Sequence, residues 1–95
     1  MDSSKEAKIL AYARQLAKEG EAFEKNGEEE EAIPKYIKAV DVLLVLAEGT
    51  DRYPDWVNYT SKIEFYQKRT RILIAKASMK RNENHEQISQ VTRSS

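Results

Sequence analysis

Cysteine is absent from this 95-residue chain. That removes disulfides, thiolate nucleophiles and cysteine-ligated zinc, and it suits a reducing compartment. Histidine occurs once, at His85, so neither a multi-histidine metal site nor a histidine-based general base with a second imidazole is available. Glycine is confined to Gly20, Gly27 and Gly49, too sparse for a phosphate-cradling loop, and no serine sits in a nucleophile motif. The longest fully apolar run, residues 42–47, is far shorter than the ~20 residues that cross a bilayer, and the start of the chain has no apolar targeting core. With no catalytic machinery visible, the chain is expected to be a soluble, cytoplasmic non-enzyme that needs no cofactor and no metal.

What is present is charge and helical periodicity. Charged residues make up 34% of the chain and balance to zero overall, with 16 basic and 16 acidic residues. The halves differ: residues 1–49 carry 7 Lys/Arg against 11 Asp/Glu, and residues 50–95 carry 9 against 5, or −4 followed by +4. Such a dipole orients encounters with charged partners, whereas nucleic-acid binding calls for a basic face on a basic domain; no nucleic acid is expected.

No segment alternates with period two, which argues against strands. Two stops, Lys25-Asn26-Gly27 and Glu48-Gly49-Thr50-Asp51, divide the chain into three helical stretches, since glycine accepts the left-handed conformation that ends a helix. The first is expected over residues 5–25, with Ile9, Ala13, Leu16, Gly20 and Phe23 as its buried stripe. The second, over residues 29–48, opens on Glu28 to Glu31, acids that suit a helix N-terminus, and tolerates Pro34 near its first turn. The third, over residues 54–80, starts at Pro54 and repeats Trp56, Tyr59, Ile63, Tyr66, Thr70, Leu73 and Ala77 at spacings of 3 and 4. The expected fold is all-α: an antiparallel three-helix bundle with a TPR-like hairpin and a long third helix. Leu16, Phe23, Tyr36, Leu43, Ile63, Tyr66 and Leu73 should be buried. The domain should occupy residues 1–80, with residues 81–95 a polar flexible tail or linker.

From Glu24 the chain reads Glu-Lys-Asn-Gly-Glu-Glu-Glu-Glu-Ala-Ile-Pro-Lys-Tyr-Ile-Lys-Ala-Val, and from Ser61 it reads Ser-Lys-Ile-Glu-Phe-Tyr-Gln-Lys-Arg. The first stretch resembles the signature of the MIT (microtubule interacting and trafficking) domain, and the second its third-helix Tyr-x-x-Arg pattern. Gly20 and Ala32 let two helices approach closely while Phe23, Tyr36 and Ala39 fill the space between them. A tetratricopeptide repeat shares this hairpin, but no second copy follows at a period of about 34 residues, and the third helix is too long for a repeat. A TPR-like interaction or oligomerisation domain unrelated to ESCRT is the alternative.

The resemblance implies a peptide-binding adaptor for C-terminal tails of ESCRT-III subunits. Such a module recruits an attached effector, commonly an AAA ATPase, for membrane remodelling, trafficking or cell division. It would be a monomer as an isolated domain, brought to membranes through partners without inserting into them itself. Family members offer two grooves: one between helices 2 and 3 for a helical motif, and one between helices 1 and 3 for an extended, proline-containing motif. By the same match Gln67 falls where the helical-motif groove presents a leucine, and Lys68 where it often presents an acid. On helix 3, Phe65, Ile72 and Met79 lie off the core seam beside Lys62, Arg69 and Lys76. Extended tails are therefore favoured, with Ala13, Ala17, Lys62, Phe65, Arg69, Ile72 and Lys76 as candidate binding residues. Helix 2 keeps a second apolar line, Ile33, Ile37, Val40, Leu44 and Ala47, on the side of the other groove.

Overall fold

The computed structural model describes the backbone of residues 2–94 and the side chains of residues 2–81, and contains three helices: α1 (Ser3–Lys25), α2 (Glu29–Gly49) and α3 (Tyr53–Ser94). No strand occurs among the described residues. The chain is an all-α three-helix bundle. Asp2 caps α1, its carboxylate accepting from the Ser4 N–H at 3.3 Å. Gly27 closes α1 as expected, with φ at 79°, while the Gly27 and Glu28 N–H groups donate back to the Glu24 and Phe23 carbonyls at 3.1 and 2.8 Å.

The second turn works differently. Gly49 is the last residue of α2 and has no positive φ; the chain leaves through Thr50 in an extended conformation. The Thr50 hydroxyl then accepts from the Arg52 N–H at 3.2 Å, and α3 starts at Tyr53, one residue before Pro54. Pro34 lies in the second turn of α2, where its missing N–H leaves only the Glu30 carbonyl without a helical donor. The largest difference is at the end of α3, which runs 42 residues to Ser94 instead of ending near Lys80. Residues 81–95 hold neither glycine nor proline, so nothing local stops the helix. His85 lies outside the residues whose side chains are described.

Helix α2 is the centre of the bundle, packed along α1 on one side and α3 on the other; among the described residues, no Cα atoms of α1 and α3 come within 8 Å of each other. One core cluster joins Ala13, Val40, Leu43, Leu46, Tyr59 and Ile63, and a second joins Ala32, Tyr36 and Leu73, with Tyr66 packed against both. Of the expected core, Leu16, Tyr36, Leu43, Ile63 and Leu73 are buried, whereas Phe23 and Tyr66 are half-buried. Trp56, expected on the α3 seam, is 45% exposed and stacks on Tyr53 at 6.0 Å instead. It lies in the first turn of α3, beside the turn, where the cover of the neighbouring helices runs out.

The α1–α2 approach is tightest at Gly20. A Cβ there would stand 2.8 Å from Cε1 of Tyr36 and 3.0 Å from Cδ1 and Cζ. The ring cannot swing away, because it is buried, stacked on Tyr66 at 5.5 Å and tethered by its hydroxyl to Glu24 at 2.6 Å. Gly20→Ala gains about 1 kcal/mol of helix propensity but costs about 1–3 kcal/mol of overpacking. A thermal melt should show Gly20→Ala slightly destabilised and Gly20→Val lowered by roughly 10 °C or more. A rise in the midpoint with alanine would mean that the Tyr36 ring yields.

Candidate functional site

Because α1 and α3 do not meet backbone to backbone, long polar side chains bridge them. Arg69 reaches from α3 to Glu24 on α1, donating through Nε at 2.9 Å and through a second guanidinium nitrogen to the other carboxylate oxygen. The Tyr36 hydroxyl of α2 donates to the same carboxylate, so one acid ties all three helices. Nearer the other end, the Tyr59 hydroxyl donates to Glu6 at 2.6 Å. The Arg69 guanidinium holds the Glu24 carboxyl below the usual range, with help from the Tyr36 hydroxyl. Burial, then the Glu24 contact, pushes the Tyr36 phenol up; burial and Glu6 push Tyr59 up to about 12.

These bridges bear directly on the seven residues picked from sequence. Ala13 and Ala17 are buried in the bundle, at 2% and 4% exposure, and present no free surface to a ligand. Arg69 is engaged by Glu24, and Lys76 faces Glu29 on α2 at 3.6 Å. What remains of an α1–α3 groove is a cleft of about 20 Å³ between Leu10, Ala13, Arg14, Leu43, Lys62 and Tyr66. Phe65 and Ile72 lie outside that cleft on the outer side of α3, with Phe65 edge-on to Tyr66 at 5.3 Å. The seven residues therefore do not line one groove: two are core, and the other five lie on α3.

The open cleft lies on the other side of α3. It measures about 370 Å³ and is lined by Ile37, Val40, Asp41 and Leu44 of α2 and by Gln67, Thr70 and Arg71 of α3. Val40 and Thr70 form its buried floor, and Ile37 and Leu44, one heptad apart, form a half-exposed apolar rail. Thr70 is quenched as a donor, since its hydroxyl donates to the Tyr66 carbonyl at 2.7 Å, which leaves its methyl to the floor. Asp41 and Arg71 put opposite charges on the two lips. The apolar line on helix 2 is visible in the sequence, and Thr70 belongs to the expected seam of helix 3; Asp41 and Arg71 carry no such mark. Their only signal was a heptad offset from the seam, which has no meaning until α2 and α3 are placed together.

A third cleft of about 350 Å³ lies between Gly27 to Glu31 and the Leu73, Ala77 and Lys80 side of α3. Among the described residues no group of His, Cys, Asp and Glu is placed to hold a metal ion, and no helix is long and apolar enough to cross a membrane. No protein-family model, no curated protein and no solved structure matches the chain.

The bridge predicts a pH dependence. A carboxyl whose folded value lies below its unfolded value contributes fully above the unfolded value of about 4.3 and loses that contribution as pH falls through the folded one. Two phenols raised above about 10 contribute below that pH and lose it as pH rises toward their folded values. Stability against denaturant should therefore fall at both extremes. Glu24→Gln should cost about 1–3 kcal/mol at neutral pH and flatten the acid limb. An unchanged acid limb in that variant would show that Glu24 does not set it.

Proposed function

We propose that this chain is a peptide-binding adaptor and not an enzyme, which captures the C-terminal tails of ESCRT-III filament subunits for an attached effector. Support comes from the resemblance of residues 24–40 and 61–69 to the MIT domain, together with the three-helix architecture. The observation that carries the reading is the cleft between α2 and α3, which has the shape a helical peptide needs. Two antiparallel helices flank a channel whose apolar contacts, Ile37, Val40 and Leu44, recur at 3 and 4 residues and span about 10 Å. A third amphipathic helix laid there completes a local four-helix arrangement, with about two turns of its apolar face desolvated.

The lips add specificity. Asp41 favours a cation on the α2 side of the ligand, Arg71 an acid on the α3 side, and Gln67 asks for a polar or small residue where a leucine wall would take a bulky one. The extended, proline-containing mode expected from the sequence would need the α1–α3 side, where the cleft is about 20 Å³ and both alanines are covered. The volume of about 370 Å³ sits at the lower end of the ~300–1,000 Å³ typical of ligand clefts, which fits a shallow, exchangeable interaction.

Titration against a panel of ESCRT-III tail peptides tests this. Leu44→Asp and Ile37→Asp should weaken binding at least tenfold, because each places a charge where an apolar side chain must be desolvated, at about 1–3 kcal/mol or more. Reversal of charge at Asp41 or Arg71 should cost only a few-fold, chiefly at low salt. Circular dichroism confirms that each variant stays helical. Binding that survives Leu44→Asp but not Phe65→Asp moves the tail to the α1–α3 side; no binding by the unaltered chain sinks the reading.

A further inference from the structure

The outer side of α3 carries three apolar residues that neither the core nor the α2–α3 cleft uses. Phe65, Ile72 and Met79 are 63%, 38% and 68% exposed. They recur every seven residues, so they form one line about 21 Å long on one flank of the helix. Lys62 and Lys68 stand three residues to either side of Phe65, and Lys76 lies between Ile72 and Met79.

Helix α1 extends the same face. Arg14 meets Lys62 and Tyr66 across the small α1–α3 cleft, which fixes the side of α1 turned toward α3. Lys18, Glu21 and Lys25 follow Arg14 at spacings of 4, 3 and 4, and so share that side. Arg14, Lys18, Lys25, Lys62 and Lys68 make no ion pair among the described residues, whereas Glu24 is neutralised by Arg69 and Lys76 by Glu29. Five cations without an ion-pair partner, against Glu21 on α1 and Glu64 beside Lys68 on α3, leave the face at about +3 on a chain of zero net charge.

We propose that this α1–α3 face rests on an anionic lipid bilayer, with Phe65, Ile72 and Met79 entering the interface and the surrounding lysines and arginine reaching the headgroups. Two features select a bilayer as the occupant. The apolar side chains protrude, and none of the three lines any of the clefts described above. A peptide needs concavity to be desolvated, but a deformable interface accepts protruding side chains between its headgroups. A line of apolar residues bordered by lysines whose alkyl stems can lie along it also matches interfacial adsorption. The charge is complementary to an acidic surface and opposes pairing with a second copy of the same face. Adsorption leaves the bundle on the surface, with no helix crossing.

The proposal uses none of the residues of the α2–α3 cleft and stands independently of the peptide reading. The geometry allows both at once, because the two surfaces lie on opposite flanks of α3.

Flotation of the full chain with vesicles tests it. Vesicles of phosphatidylcholine with phosphatidylserine should carry the protein at low salt, pure phosphatidylcholine should not, and binding should fall steeply toward about 0.5 M salt. Phe65→Asp and Met79→Asp should each reduce the bound fraction at least tenfold, and Lys62→Glu or Lys68→Glu about fivefold or more per site, on the scale of one surface cation. Leu44→Asp should leave it unchanged, and circular dichroism shows whether each variant is folded. Equal binding to neutral vesicles, insensitivity to salt, or binding that survives Phe65→Asp in a folded variant would overturn the proposal. Absence of vesicle binding, with Phe65-dependent capture of an acidic peptide, would overturn it in favour of a protein partner on this face.

Discussion

The Glu24 carboxylate is the point to which all three helices are tied. It receives Tyr36 from α2 and Arg69 from α3 while belonging to α1, and its side chain is only 13% exposed. A carboxylate buried to that extent is tolerable because hydrogen bonds and a cation meet it on both oxygens. Tyr36 can deliver its hydroxyl there only because Gly20 clears the space its ring occupies. The missing side chain at Gly20, the ring of Tyr36 and the charge at Glu24 therefore act as one unit, and loss of any member leaves the others strained or unpaired.

That unit also explains why the two flanks of α3 differ. Arg69 and Tyr59 are long enough to reach α1 across a gap that the backbones do not close. Their span fills the space between α1 and α3 with side chains, and the remaining cleft is negligible. On the other flank, α2 and α3 meet through shorter core residues, and Val40 and Thr70 leave a floor below the rail of Ile37 and Leu44. One helix thus presents a concave apolar channel on one side and a convex basic surface with protruding apolar residues on the other. The first suits a helical segment and the second a flat surface.

The zero net charge conceals this division. The acids of the α1–α2 turn, Glu29 and Glu30, meet Lys76 and Arg81 near the start of α2, so they are partly spent within the fold. Among the described residues, Arg14, Lys18 and Lys25 of α1 and Lys62 and Lys68 of α3 make no such ion pair. A chain with equal numbers of basic and acidic residues therefore acquires a basic face through the pairing of its acids elsewhere.

The helices themselves were legible in the sequence, because local rules specify them. Gly27 must end α1 where φ turns positive, the 3 and 4 spacing of Ala13, Leu16 and Gly20 or of Ile63, Tyr66, Thr70, Leu73 and Ala77 must face a core, and the lack of alternation excludes strands. The end of α3 was less legible, because the residues after Lys80 are polar and without a stripe yet contain no helix breaker. The candidate site was legible only in part. Periodicity showed that apolar residues were left over on both flanks of α3, yet it says nothing about the distance between helices. Whether Ala17 is a groove wall or core, whether Arg69 is free or bound to Glu24, and whether Gln67 or Lys62 borders the open cleft depend on how far α1 stands from α3. That distance is set by long-range contacts, Tyr36 against Gly20 and Glu24 against Arg69, between residues far apart in the chain. The sequence alone determined three amphipathic helices and their leftover surfaces; the tertiary structure decided which leftover surface became a cleft, because a cleft is a relation between helices and not a property of any one of them.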